Sequence, residues 1–151
     1  MIALHLDNPG MPARARARIQ HAIQVQVNQQ VAPVWHRPKI RWAKDGIQVI
    51  VESQREVWSS CGSTLALACH SVTQSGVPVI WASRGPGLSV SISHEVIETL
   101  IDPWLSGYEV CDPVNASSYY VAGVQVADFM MPDLTRSWVD NLDRLREVRQ
   151  S

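Results

Sequence analysis

Leu88-Ser89-Val90-Ser91-Ile92-Ser93-His94-Glu95-Val96-Ile97-Glu98-Thr99-Leu100-Ile101-Asp102-Pro103 combines an apolar approach, a polar cap and a row of imidazole and acidic groups, and it ends at a proline. Ser93 can cap a helix that runs from His94 to Asp102, and Pro103 stops it. Residues 88–92 read as a strand or a buried approach, so the start of the helix is expected to be internal. His94 and Glu98 are four residues apart, which places both side chains on one face, one turn from each other. Imidazole nitrogen and carboxylate oxygen are both good ligands for first-row metals. Glu95 follows His94 and points toward the edge of that face, where a base acting on water at a metal belongs. This is the logic of a His-Glu-x-x-His helix with Glu in place of the second His.

The pattern alone also arises on ordinary solvated helices. Two features set this helix apart. Its approach is apolar, and Asp102 extends the row to positions i, i+4 and i+8. Like-charge repulsion disfavours such a row unless a cation or hydrogen bonds compensate. A protein site also needs a further ligand and an open position for water. The candidates are Asp112, Glu109, Asp102 and His70. Asp102 lies about 12 Å from His94 along the helix axis, too far to share one ion, and suits a helix-end or supporting role. Asp112 ranks first because the segment after the helix is long enough to fold back and Cys111-Asp112-Pro113 fixes a turn. Glu109 ranks second and His70 third. Cys111 reads as a small buried hydrophobe rather than a ligand or nucleophile. His5, His21 and His36 lack companion ligands and read as structural or surface groups.

The chain has 151 residues, 46% of them hydrophobic and 18% charged, which fits one domain with a sizeable core. Net charge is -1, so neither a nucleic-acid surface nor a membrane surface is expected. Arg14, Arg16 and Arg18 spread around a helix axis and read as solvated. No apolar run approaches the ~20 residues of a membrane span, and the N-terminus does not resemble a signal peptide. Cys61, Cys69 and Cys111 are odd in number, which argues against a full disulfide framework and suits a reducing compartment, and their lack of CxxC spacing argues against a thiolate zinc knuckle. The expected location is cytoplasmic, or virion-associated if the chain is phage-encoded. Six Trp against one Phe is an unusual balance; the Trp are expected mainly at half-buried core edges.

Residues 2–6 read as a first strand. Pro12 opens an amphipathic helix that reaches about Val31, with Ile19, Ala22, Ile23, Gln26, Val27 and Gln30 on one face. Pro33 and Pro38 bracket a connector. Residues 40–42 and 47–51 read as strands joined in a hairpin by Lys44-Asp45-Gly46. Residues 53–63 read as polar turn, residues 65–70 as a strand, and residues 77–82 as a strand that Pro78 places at an edge or a strand start. Residues 108–113 read as a short strand and turn. Residues 119–121 and 124–126 form a hairpin through Ala122-Gly123. A terminal helix is expected from Leu134 to Arg149. One α+β domain over residues 1–151 accounts for this pattern.

Several blocks together resemble a family of poorly characterised bacterial and phage proteins that are similar to zincin-type metallopeptidases with a His-Glu-x-x-Glu helix. They are residues 93–103; Tyr108-Glu109-Val110-Cys111-Asp112-Pro113-Val114; and Tyr120-Val121-Ala122-Gly123-Val124-Gln125-Val126-Ala127-Asp128-Phe129 with Pro132. Ala68-Cys69-His70, followed by Gly76-Val77-Pro78, resembles a Gly-Tyr-His segment that precedes the helix. Asn115 stands where the family usually has an acidic residue, and Asp133-Leu134-Thr135 replaces its usual aromatic ending. The resemblance implies a zincin-like fold: a twisted mixed sheet, an N-terminal helix, and an active helix below an edge strand. It implies His94 and Glu98 as ligands of one divalent ion, zinc first, and Glu95 as general base; it leaves the third ligand open.

The expected activity is metal-dependent hydrolysis of a peptide or protein substrate, bound along an edge strand at residues 77–82 or 88–92. The alternative is a non-catalytic structural or assembly protein that retains a zincin-like fold.

Overall fold

The computed structural model describes residues 1–107 and 109–132. The expected C-terminal helix from Leu134 to Arg149 lies outside the described residues. The architecture is a small α+β domain. A five-stranded mixed sheet carries helices on its faces, and a two-stranded sheet packs beside it.

Strand β1 (Ile2–Asp7) leads into helix α1 (Ala13–Gln26). Ala22, Ile23 and Gln26 are buried along it. The helix widens into a π turn over Val27–Val31 and closes with a short helix α2 (Ala32–Trp35). Pro33 accounts for the widening: it has no N–H, and its ring clashes with the carbonyl one α-turn back. The helical path therefore runs through the expected connector before His36 ends it in the left-handed region at φ 51°.

Strands β2 (Ile40–Trp42) and β3 (Ile47–Glu52) do not form the expected hairpin. Both pair in parallel with β1, one on each side. Trp42 and Ile47 both sit opposite Leu4, so the chain steps over β1 between them. Gly46 permits the step: a Cβ there would lie 2.4 Å from the β1 backbone at Ala3 and Leu4. The glycine that looked like a hairpin turn serves close backbone approach instead.

Residues 53–63, expected as polar turn, contain helix α3 (Gln54–Cys61). Ser53 and Glu56 form a reciprocal capping box at its start, and Gly62 ends it at φ 68°. Strand β4 (Ala68–Val72) follows, then β5 (Pro78–Ser83), antiparallel to it. The sheet order is β2-β1-β3-β5-β4. Pro78 begins β5, where a missing N–H does least harm, but β5 is internal, and β4 is an edge strand of the sheet among the described residues.

Helix α4 (Leu88–Ile101) starts earlier than expected, at Gly87 rather than Ser93. The alternation of residues 88–92 is a helical pattern. Ser89 Oγ donates to Gln125 O at 2.7 Å, and one turn on Ser93 Oγ accepts from Ala127 N–H at 2.7 Å. The two serines thus tie α4 to the second sheet, β6 (Ser118–Val121) with β7 (Val124–Ala127), which is the expected hairpin. On its other flank α4 packs against β4 and β5. Ile92, Val96, Ile97 and Leu100 join Leu4, Leu6, Val49, Val51 and Ile80 in one core with Ile23 of α1 and Val27 of the π turn. Asp102 ends the helix before Pro103, as expected.

The strand expected in residues 108–113 is absent among the described residues, which form a 3-10 turn at Asp112–Val114. Cys61 and Cys69 form a single disulfide between α3 and β4, which departs from the reducing-compartment expectation; Cys111 remains free and buried. Among the described residues no helix is long and apolar enough to cross a membrane.

Two stability outcomes follow from this architecture. Gly46→Ala is expected to destabilise the fold by about 1–3 kcal/mol in urea unfolding, because β1 backbone occupies the space a methyl needs. Cys61→Ser is expected to lower stability by about 2–3 kcal/mol, from the lost constraint on the loop between the cysteines. A thiol reductant acting on the wild type should reproduce that loss.

Candidate metal centre

The site forms where α4, β4 and the turn at Asp112 meet. Successive residues of β4 point to opposite faces of the sheet. Cys69 reaches Cys61 of α3 on one side, and His70 reaches α4 on the other. Glu98 sits deepest. Its Oε1 accepts the backbone N–H groups of Cys111 at 3.1 Å and Asp112 at 3.4 Å, which fold the segment after α4 back over the helix.

His94, Glu98 and Asp112 converge. His94 Nε2 lies 3.7 Å from Glu98 Oε1 and 3.1 Å from Asp112 Oδ1. Two ligands on one tetrahedral ion at ordinary zinc bond lengths stand ~3.3 Å apart. The donor set therefore fits a divalent cation in both chemistry and spacing. His70 approaches from within: its Nδ1 is 3.2 Å from Glu95 Oε2 and 4.0 Å from Glu98 Oε2. His70, Glu95 and Glu98 form a second group whose ligand atoms lie within 4.8 Å of one another, as do those of His94, Glu98 and Asp112.

The other expected residues take different places. The Asp102 carboxylate binds Ser106 and Gly107 backbone N–H groups and the Ser106 hydroxyl, and its backbone carbonyl faces His70 Nε2 at 3.3 Å. Asp102 thus shapes the turn after the helix and orients an imidazole. Glu109 is exposed and belongs to neither ligand group. Sequence reasoning ranked His70 last, because nothing in Cys69-His70-Ser71 signals that the strand lies against α4. The Gly-Tyr-His resemblance was the one signal pointing there.

Burial works against charge on His70, but the hydrogen bond to Glu95 and the charges of Glu95 and Glu98 outweigh it and raise its pKa. His94 is raised in the same way: burial opposes, and the Glu98 hydrogen bond and the Glu95, Glu98 and Asp112 charges prevail. Burial pushes Glu98 up, yet His94 and the two backbone N–H groups bring it below the ordinary carboxylate range. Burial, reinforced by the neighbouring carboxylates, pushes the Cys111 thiol well up and favours its neutral form.

Beside the site runs a groove of about 330 Å³. Leu65, Leu67 and Ala68 form one wall, Val90 and His94 of α4 the other, and Asp112 and Asn115 close one end. Comparison with known protein families, with curated proteins and with solved structures gives no match for this chain.

The pKa directions fix a pH dependence for metal-free protein. The raised imidazoles stabilise the fold fully below their ordinary value of about 6.5, and that contribution is lost as pH rises through their folded values. The lowered Glu98 stabilises above its ordinary value of about 4.5, and that contribution is lost as pH falls through its folded value. With EDTA present, Tm is therefore expected to decline as pH rises above the imidazole range, and His70→Asn or His94→Asn should flatten the decline. Excess zinc should reverse it, because deprotonated imidazoles bind the ion.

Proposed function

We propose that this chain is a metal-dependent hydrolase of peptidase type, with His94, Glu98 and Asp112 holding one divalent ion, zinc first, and Glu95 acting as general base. The observation that carries this reading is the convergence of one imidazole and two carboxylates beside a groove that His94, Glu95 and Asp112 line, with Glu95 as a further carboxylate. An antiparallel edge strand alongside a ligand-bearing helix supports the zincin-like reading.

When bound, the ion supplies Lewis acidity, lowering the pKa of a water toward ~7 and polarising the substrate carbonyl. Glu95 Oε2 is engaged by His70, and Oε1 lies 4.0 Å from His94 Nε2 and is the oxygen we assign to proton transfer. It takes the proton from the attacking water and delivers it to the leaving nitrogen. Glu98 gives the site its fixed geometry, because two backbone N–H groups hold it. Two carboxylate ligands donate more charge than imidazoles, which leaves the ion a milder Lewis acid and places more of the activation on Glu95.

Substrate recognition falls to β4 rather than to residues 77–82 or 88–92, since the first are internal and the second helical. An extended peptide can add to the edge of β4 by main-chain hydrogen bonds. Leu65 and Leu67, 90% and 54% exposed on the groove wall, suit an apolar side chain. The Cys61–Cys69 disulfide favours a virion or another oxidising setting over a reducing cytoplasm.

Zinc-loaded protein incubated with a peptide mixture should yield cleavage products by mass spectrometry, and EDTA should stop them. Glu95→Gln should retain the ion at His94, Glu98 and Asp112 while lowering kcat at least ~100-fold. Wild-type turnover in that variant would remove Glu95 from the chemistry, and an absence of cleavage by wild type across a titration from zero to excess metal would end the hydrolase reading.

A further inference from the structure

We propose that the chain binds a second divalent cation at His70, Glu95 and Glu98, with the Glu98 carboxylate bridging it to the ion at His94 and Asp112. The two ligand groups share that one residue, and each contributes an imidazole and a second carboxylate. The carboxylate of Glu98 is turned to serve both. Its Oε1 lies toward His94 and its Oε2 toward His70, at 3.7 and 4.0 Å. A bridging carboxylate of this kind suits two ions about 3.5–4 Å apart.

The orientation of His70 is independent support. Its Nε2 faces the carbonyl of Asp102 at 3.3 Å, a partner that suits an Nε2–H donor. With Nε2 turned to that carbonyl, Nδ1 is aimed at Glu95 Oε2 at 3.2 Å, a spacing that one shared cation can bridge. A backbone carbonyl that fixes the distal N–H and aims the other nitrogen inward is the usual support of a metal-bound histidine. The side chains of His70, Glu95 and Glu98 are only 9, 8 and 6% exposed, so water does little to screen the carboxylates. Three carboxylates and two imidazoles meet here, a donor set large enough for two divalent ions.

One consequence rests on the hydrolase reading. A cation held by Glu95 withdraws that carboxylate from proton transfer. Activity should therefore rise to the first equivalent of metal and fall as the second site fills.

The deciding measurement is stoichiometry. Chelator-stripped protein is dialysed to equilibrium against zinc or cobalt(II), and bound metal is counted by plasma emission. Wild type should saturate at two ions per chain, and His70→Asn and Asp112→Asn at one each, with folding checked by circular dichroism. If His70→Asn unfolds, Glu95→Gln serves the same purpose and should also fall to one. A wild type that saturates at one ion, or a His70 or Glu95 variant that keeps two, overturns the proposal. Saturation at two ions with no hydrolysis at any metal equivalent would end the peptidase reading and leave this site standing; saturation at one ion with hydrolysis would do the reverse.

Discussion

A carboxylate buried against the apolar face of a helix is expensive unless every lone pair finds a partner, and Glu98 is that carboxylate. Two backbone N–H groups from residues 111 and 112 and two imidazoles surround it. The same contacts organise the fold locally. The N–H donors come from the segment that returns after α4, so satisfying Glu98 places Asp112. One imidazole comes from the edge strand, so satisfying Glu98 also draws β4 toward the helix. Burial of a single acid thereby joins a helix, a strand and a loop that the chain order keeps apart.

The helix bearing that acid is held more firmly than an amphipathic surface helix would be. From Ile92 to Ile101 only His94 is not buried. Sheet packs on both flanks, and Ser89 and Ser93 fasten one flank by hydrogen bonds to β7. Arg37 donates to the carbonyl of Ile101 and satisfies part of the helix end. Side chains projected from such an element keep their spacing, which a ligand set requires.

Much of this was legible in the chain. The i, i+4 spacing of His94 and Glu98 placed them on one face because helical geometry is local. The stop at Pro103, the second hairpin and the α1 face were readable for the same reason. Most of the failures were tertiary. Lys44-Asp45-Gly46 has hairpin chemistry, but β1 competes for both flanking strands and wins, and Gly46 yields the space. Leu88-Ser89-Val90-Ser91-Ile92 alternates like a strand, yet its serines also fit a helical repeat, and β7 selects that option. Ser53-Gln54-Arg55-Glu56 was a capping box available to local reasoning and overlooked among polar neighbours. The nearness of Cys61 to Cys69, and of His70 to Glu95, depends on which strand becomes the edge, and no local spacing encodes that.

The disulfide between Cys61 and Cys69 pins both ends of the segment that walls the groove, one residue before His70. Shape and chemistry are thereby uncoupled. Residues 63–67 can drift in sequence, swapping a leucine for a bulkier or a polar group, while the anchored ends hold β4 and its imidazole in register. A lineage carrying this clamp is free to retune what it grips without disturbing how the grip is made.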